Sequence, residues 1–229
     1  MEACAPGGLR VDAGLLRHVH CALLSDPDWT PHHLAVVHGK SYLLPPAAML
    51  HWPMSEWRGK NSHQVLSLRD PTLTDAQFDT ILRACFMHRF GLSWRLPDLP
   101  AKWRERLKAH LKSYSDDVVP FVRSGDLYRL TLAPSRSSGG EQHPAFQLVL
   151  GNRHLLLGFA LDPEKPLGIA QSGAFKVVPR GLDPTRRYEL RELARIQPAT
   201  TRTASGAEWM ASGVPVSEGS SFAGILEPR

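Results

Sequence analysis

The sequence predicts a two-part fold, an α/β segment over residues 1–118 followed by an all-β segment over residues 119–229. Three observations predict it. Up to about Val118, short apolar runs alternate with stretches of helical periodicity, the pattern of parallel strands covered by helices. Beyond Val118, β-prone runs separated by turn residues follow one another without a helical period, the pattern of an antiparallel sandwich. The 229 residues, 42% of them hydrophobic, suffice for a sizeable core.

Taken in order, residues 1–4 read as a first strand, and Val19 to Leu24 as a second. The latter is a short apolar run with a carboxylate, Asp26, at its C-terminal end beside the turn-setting Pro27. In a parallel α/β barrel that end of a strand carries catalytic groups. Thr30 as N-cap and Pro31 at the first helical position predict a short helix through about Val37, closed by Gly39. Ala47 to Trp52 reads as a third strand stopped by Pro53, followed by a polar loop that carries Trp57. Thr74 and Gln77 have capping-box spacing. Phe78, Ile81, Leu82, Cys85, Phe86 and Phe90 then form the apolar stripe of a helix ended by Gly91. Leu92 to Leu96 alternates and predicts a fourth strand. Trp103, Leu107, Leu111, Tyr114 and Val118 predict the next helix. The all-β part is expected to use strands at 127–132, 146–150, 155–161, 175–178, 187–190 and 222–226.

Charge and cysteine usage narrow the function classes. Lys plus Arg exceed Asp plus Glu by 27 − 22 = 5, spread along the chain, and the densest cluster, Lys102 to Lys112, fits the solvated face of a helix. Nucleic acid is therefore not an expected partner. Cys4, Cys21 and Cys85 are an odd number without CxxC spacing, which favours a reducing, cytoplasmic setting over a disulfide framework. No run approaches 18 apolar residues and no signal-peptide pattern precedes the first motif, so no membrane partner is expected. A motif that starts almost at Met1 leads us to expect a fragment of a longer reading frame.

The candidate chemistry lies in the first thirty residues. In Cys4-x-x-Gly7-Gly8-x-Arg10-x-Asp12 the glycines let backbone approach a ligand closely. Asp26 is the candidate acid, and Asp28, the rival carboxylate, is expected to cap. His18, His20, His32, His33 and His38 fall within 21 positions, with His18 and His20 on one face of a strand. No HExxH or Cys pair accompanies them, so no metal is expected.

The motifs Cys4-x-x-Gly7-Gly8-x-Arg10-x-Asp12, Ser25-Asp26, Tyr42-x-x-Pro45-Pro46-x-x-Met49, Tyr128-Arg129-Leu130, Arg180-Gly181-Leu182-Asp183-Pro184 and Ser205-Gly206-x-Glu208-x-Met210-x-x-Gly213 occur in this order. In this the chain resembles the C-terminal portion of glycoside hydrolase family 36 α-galactosidases, of melibiase type. The resemblance implies strands 5 to 8 of a (β/α)8 TIM barrel, then an antiparallel β-sandwich domain. It implies a retaining glycosidase acting on terminal α-galactosides such as melibiose or raffinose-type sugars, without a cofactor. Asp26 would be the general acid/base, Cys4, Gly7 and Arg10 would bind substrate, and Asp12 would support the loop. The nucleophile would lie on an earlier strand, because no Lys-Trp-Asp sequence occurs here. The isolated chain is then expected to be inactive, with homo-oligomerisation of the full-length protein left open. Ala5-Pro6 and Pro27 depart from the family pattern, so a non-catalytic carbohydrate-binding or accessory protein on the same scaffold is the alternative.

Overall fold

Four short parallel strands lie side by side in chain order: β1 (Glu2–Ala3), β2 (Cys21–Leu23), β3 (Met49–His51) and β4 (Arg89–Phe90). The arrangement comes from a computed structural model that describes residues 1–4, 11, 12, 14–26, 29–53, 71–134, 140–162, 164, 167–170, 174–194, 201–216 and 220–229. The register pairs Ala3 with Ala22, Leu23 with Leu50 and His51 with Phe90.

Helices intervene between these strands. Helix α1 (Thr30–Lys40) starts one residue earlier than expected, with Trp29 as N-cap and no side-chain cap, so that Thr30 is already helical. It runs through Gly39 instead of closing there. Helix α2 (Asp75–Arg83) begins with the capping box: the Thr74 hydroxyl accepts from the Gln77 N–H at 3.2 Å, and the Gln77 side-chain Oε1 accepts from the Thr74 N–H at 3.0 Å. The helix tightens into a 3₁₀ turn over Ala84–Met87, so Phe90 belongs to β4 and not to the end of the helix. The expected strand at Leu92–Leu96 is thereby corrected. The parallel ladder closes earlier, with the Gly91 N–H donating to the His51 carbonyl at 2.9 Å, and Pro97 then helps fold a 3₁₀ turn at Leu96–Asp98. Helix α3 (Ala101–Ser113) passes through a π turn, Tyr114–Val118, into α4 (Val119–Ser124).

The second half contains β5 (Asp126–Arg129), β6 (Ala145–Leu150), β7 (Arg153–Phe159), β8 (Phe175–Val177), β9 (Arg187–Glu192), β10 (Arg202–Ser205), α5 (Gly206–Ser212), β11 (Val214–Val216) and β12 (Ser221–Pro228). Six strands form one antiparallel sheet in the order β10-β9-β12-β7-β6-β5, and β8 pairs with β11 separately. Strands β10 and β11 and helix α5 are additions to the sequence expectation. The short α5 lacks the apolar repeat that would announce a helix.

Side-chain alternation on the large sheet decides what each face covers. Leu155, Leu157, Phe159, Phe146, Leu148 and Ile225 join Leu34 and Val37 of α1, Phe121 of α4 and Met49 of β3 in one buried cluster. Leu156, Leu190, Phe222 and Leu226 on the opposite face meet Phe175 and Val177 of β8, Val214 of β11 and Trp209 of α5. The expected sandwich is thus a six-stranded sheet with a small two-stranded layer on one face and the helical segment on the other. Each fully buried Phe at the first of these contacts contributes on the order of 2–3 kcal/mol, so the two segments share a substantial core. A third cluster, Phe78, Ile81, Leu82, Trp103 and Leu107, joins α2 to α3.

Candidate active site at the strand ends

The parallel register sets where the candidate residues stand. Glu2 pairs with Cys21 and Ala3 with Ala22, so Cys4, just past β1, and Asp26, just past β2, leave the same C-terminal edge of the sheet on adjacent strands. Both are exposed. Leu24 is buried and its N–H donates to the Leu50 carbonyl at 2.9 Å, anchoring the backbone two residues before Asp26. The Ser25 hydroxyl is 3.1 Å from His32 Nε2, which ties the same turn to the first turn of α1. Gly7, Arg10, Pro27, Asp28 and Trp57 lie outside the described residues. Asp12 holds local structure: its carboxylate accepts from the Leu15 N–H at 2.8 Å at the start of a 3₁₀ turn.

The turn carrying Asp26 is also braced by the all-β segment. Gly168 sits at φ +63°, a conformation that favours glycine, and a Cβ there would fall 2.5 Å from Pro31 Cγ and 3.1 Å from Trp29 Nε1. The loop between β7 and β8 therefore presses directly on the start of α1.

Below the strand ends lies a feature that sequence spacing does not announce. His33 of α1, His51 of β3 and His88 are 2%, 0% and 0% exposed. The His33 and His51 ring centroids are 4.3 Å apart, those of His33 and His88 4.9 Å. His88 Nδ1 is 2.8 Å from the Arg89 carbonyl, which can only accept, so in the neutral ring Nδ1 carries the proton and Nε2 a lone pair. His33 Nε2–H donates to that lone pair at 2.7 Å. Burial holds His88 at about 4 and pushes His33 well below the usual imidazole range, with the neighbouring His51 and His88 adding to the effect on His33. The Cys85 thiol is buried beside them, and its burial pushes its pKa well above the usual value. The sulfur, His33 and His88 offer ligand atoms within 4.8 Å of one another.

The five histidines that lie close in sequence in the N-terminal region do not come together as a group. His18 and His20 precede β2 instead of lining one of its faces, and His38 points to the Thr131 carbonyl at 3.4 Å. Of that set, His33 alone enters the buried cluster, with partners 18 and 55 positions away in sequence.

Two of the motif blocks have a structural role. The Ser205 hydroxyl accepts from the Glu208 N–H at 3.2 Å and Glu208 accepts from the Ser205 N–H at 2.7 Å, a capping box that starts α5. A Cβ on Gly206 would lie 2.1 Å from the Asp183 carbonyl oxygen, so this block packs closely on Arg180-Gly181-Leu182-Asp183-Pro184.

Comparison with solved structures places this architecture. The chain has the fold of a segment of family 36 α-galactosidases. All of it superposes on 28% of the galactosidase domain of the α-galactosidase–sucrose kinase AgaSK, with a TM-score of 0.76 and 22% identity. It likewise superposes on 28% of the family 36 α-galactosidase AgaA from Geobacillus stearothermophilus (0.73, 22%). For the α-galactosidase from Lactobacillus brevis the values are 29% of that chain, 0.74 and 19% identity. The chain thus spans under a third of the proteins it resembles, and identities of this order concern fold. No protein-family model and no curated protein matches the sequence.

Proposed function

We propose that this chain supplies one side of the active site of a retaining α-galactosidase-type glycoside hydrolase, as the second half of a (β/α)8 barrel, strands 5 to 8, with its C-terminal β domain. One observation carries the reading. Asp26 stands exposed just past the end of β2, beside the end of β1 that bears Cys4, on the edge of a parallel sheet where catalytic groups of parallel α/β barrels project. Resemblance of the whole chain to a segment of α-galactosidases supports it.

In a retaining mechanism one carboxyl group attacks the anomeric carbon. A second, about 5–5.5 Å away, protonates the leaving oxygen and then takes a proton from the water that releases the sugar. Asp26 takes the second role here, Cys4, Gly7 and Arg10 hold the sugar, and the attacking carboxylate comes from outside the chain. An acid in this role works in desolvated surroundings. Asp26 is open to solvent, so the walls that would desolvate it belong to the rest of the active site.

The test has two arms. The chain alone gives no turnover of an aryl α-galactoside, and robust hydrolysis would contradict the assignment. Joined to a half-barrel bearing the nucleophile, it forms an active enzyme in which Asp26→Ala lowers kcat/KM by about 10²–10⁴-fold on galactosides with poor leaving groups and far less on activated aryl substrates. An equal loss on both removes Asp26 from the acid role.

The alternative is a non-catalytic carbohydrate-binding protein on the same scaffold, motivated by Ala5-Pro6 and Pro27. Galactose affinity in calorimetric titration, combined with an inactive joined protein, would favour it.

A further inference from the structure

We propose that His33, Cys85 and His88 form a structural zinc site beneath the strand ends. The site goes beyond the glycosidase reading and does not depend on it.

Local geometry explains why these three meet. Cys85 lies in the 3₁₀ turn Ala84–Met87 and His88 follows that turn in extended backbone, which brings the Cys85-x-x-His88 sulfur and imidazole close together. Helix α1 supplies His33 from across the layer, and all three residues are buried, with ligand atoms within 4.8 Å of one another. Zinc takes thiolate and imidazole at about 2.3 and 2.0–2.1 Å, which in a tetrahedral site separates two nitrogens by roughly 3.3 Å. The 2.7 Å His33–His88 bond must therefore open by about half an ångström, a ring rotation rather than a change of fold.

One outer partner, that of His88, is already in place. His88 donates Nδ1–H to the Arg89 carbonyl and so aims Nε2 into the site, as a zinc-bound histidine does when its other ring nitrogen donates to a backbone carbonyl. On metal entry the Cys85 thiol gives its proton to solvent and becomes the thiolate ligand. The His33 proton moves from Nε2 to Nδ1, and Nε2 binds. The His51 ring packs on His33 and stacks with Trp52, walling the site. A thiolate–imidazole set of this kind selects zinc over magnesium or calcium. The ion would clamp α1 to the segment entering β4 through His33, the neighbour in sequence of the His32 that contacts Ser25 in the Asp26 turn.

The protein has three cysteines, which makes the test clean. The purified chain is incubated with Zn²⁺, desalted and assayed for metal, and separately loaded with Co²⁺ as a spectroscopic stand-in. One zinc per chain and a thiolate-to-cobalt charge-transfer band in the near ultraviolet are expected. Substituting Cys4→Ser together with Cys21→Ser leaves Cys85 as the single thiol and preserves both signals. Cys85→Ser abolishes the band, and His88→Gln weakens zinc affinity at least about tenfold. No retained zinc in the wild-type chain, a band that survives Cys85→Ser, or no band in the Cys4/Cys21 double variant overturns the proposal. Should Cys85→Ser not fold, the double variant alone decides.

Discussion

His110 shows how burial can prevail over a nearby opposite charge. Its Nε2 lies 3.8 Å from Asp79, which suggests an ion pair. Yet that distance is too long for a hydrogen bond, and Arg106 already binds both Asp79 oxygens at 2.8 Å. Burial, then the positive charges of Arg83 and Arg106, push His110 down to about 3, so it is neutral. Because the folded value lies below the unfolded one near 6.5, the neutral ring's contribution to stability is complete above pH 6.5 and is lost as pH falls from there toward 3. Between pH 7 and pH 5 this group should remove about 2 kcal/mol of unfolding free energy, on the scale of 1.36 kcal/mol per pKa unit. Urea unfolding of the wild type and of His110→Gln at the two pH values checks it. The variant should lose about 2 kcal/mol less than the wild type, and identical losses would mean that His110 is not held neutral.

Among the helices, those whose signals are local were the legible ones. Thr74 and Gln77 are three residues apart and cap each other whatever the rest of the molecule does, so the start of α2 could be read directly. Thr74→Ala should cost about 1 kcal/mol in chemical denaturation, while Thr74→Ser should restore most of it; no loss with alanine would show that the cap is dispensable. The same chemistry starts α5 at Ser205 and Glu208, but a seven-residue helix has no room for an apolar repeat, and its residues read as a motif instead of a cap. The end of α2 was misplaced because Cys85, Phe86 and Phe90 continue its apolar stripe, whereas parallel pairing with β3 draws Arg89 and Phe90 into a strand. The strand end bearing Asp26 was legible, since an apolar run meeting an acid and a proline is a local pattern. The buried cluster of His33, His51, Cys85 and His88 was not, because only the packing of α1 over β3 and β4 brings those positions together.

At the scale of the whole molecule, the two sheets meet different fates. The six-stranded sheet is covered on both faces, by the helical segment and by the β8–β11 layer. The parallel sheet instead runs β1-β2-β3-β4 with β1 and β4 at its edges, and among the described residues no further strand pairs with either. Parallel sheets of this kind are normally closed or flanked, because a free strand edge offers unpaired N–H and C=O groups to any other chain. Charge at β1 gives modest protection, since Glu2 is exposed, but Met1 beside it is 78% exposed and apolar. Purified alone, the chain should therefore self-associate with rising concentration in sedimentation velocity, and a complementary half-barrel should suppress the association by occupying the same edges. A concentration-independent monomer that unfolds cooperatively would mean that these edges are satisfied within the chain. That outcome would also count against the half-barrel reading of the active site, because both rest on the same unpaired strands.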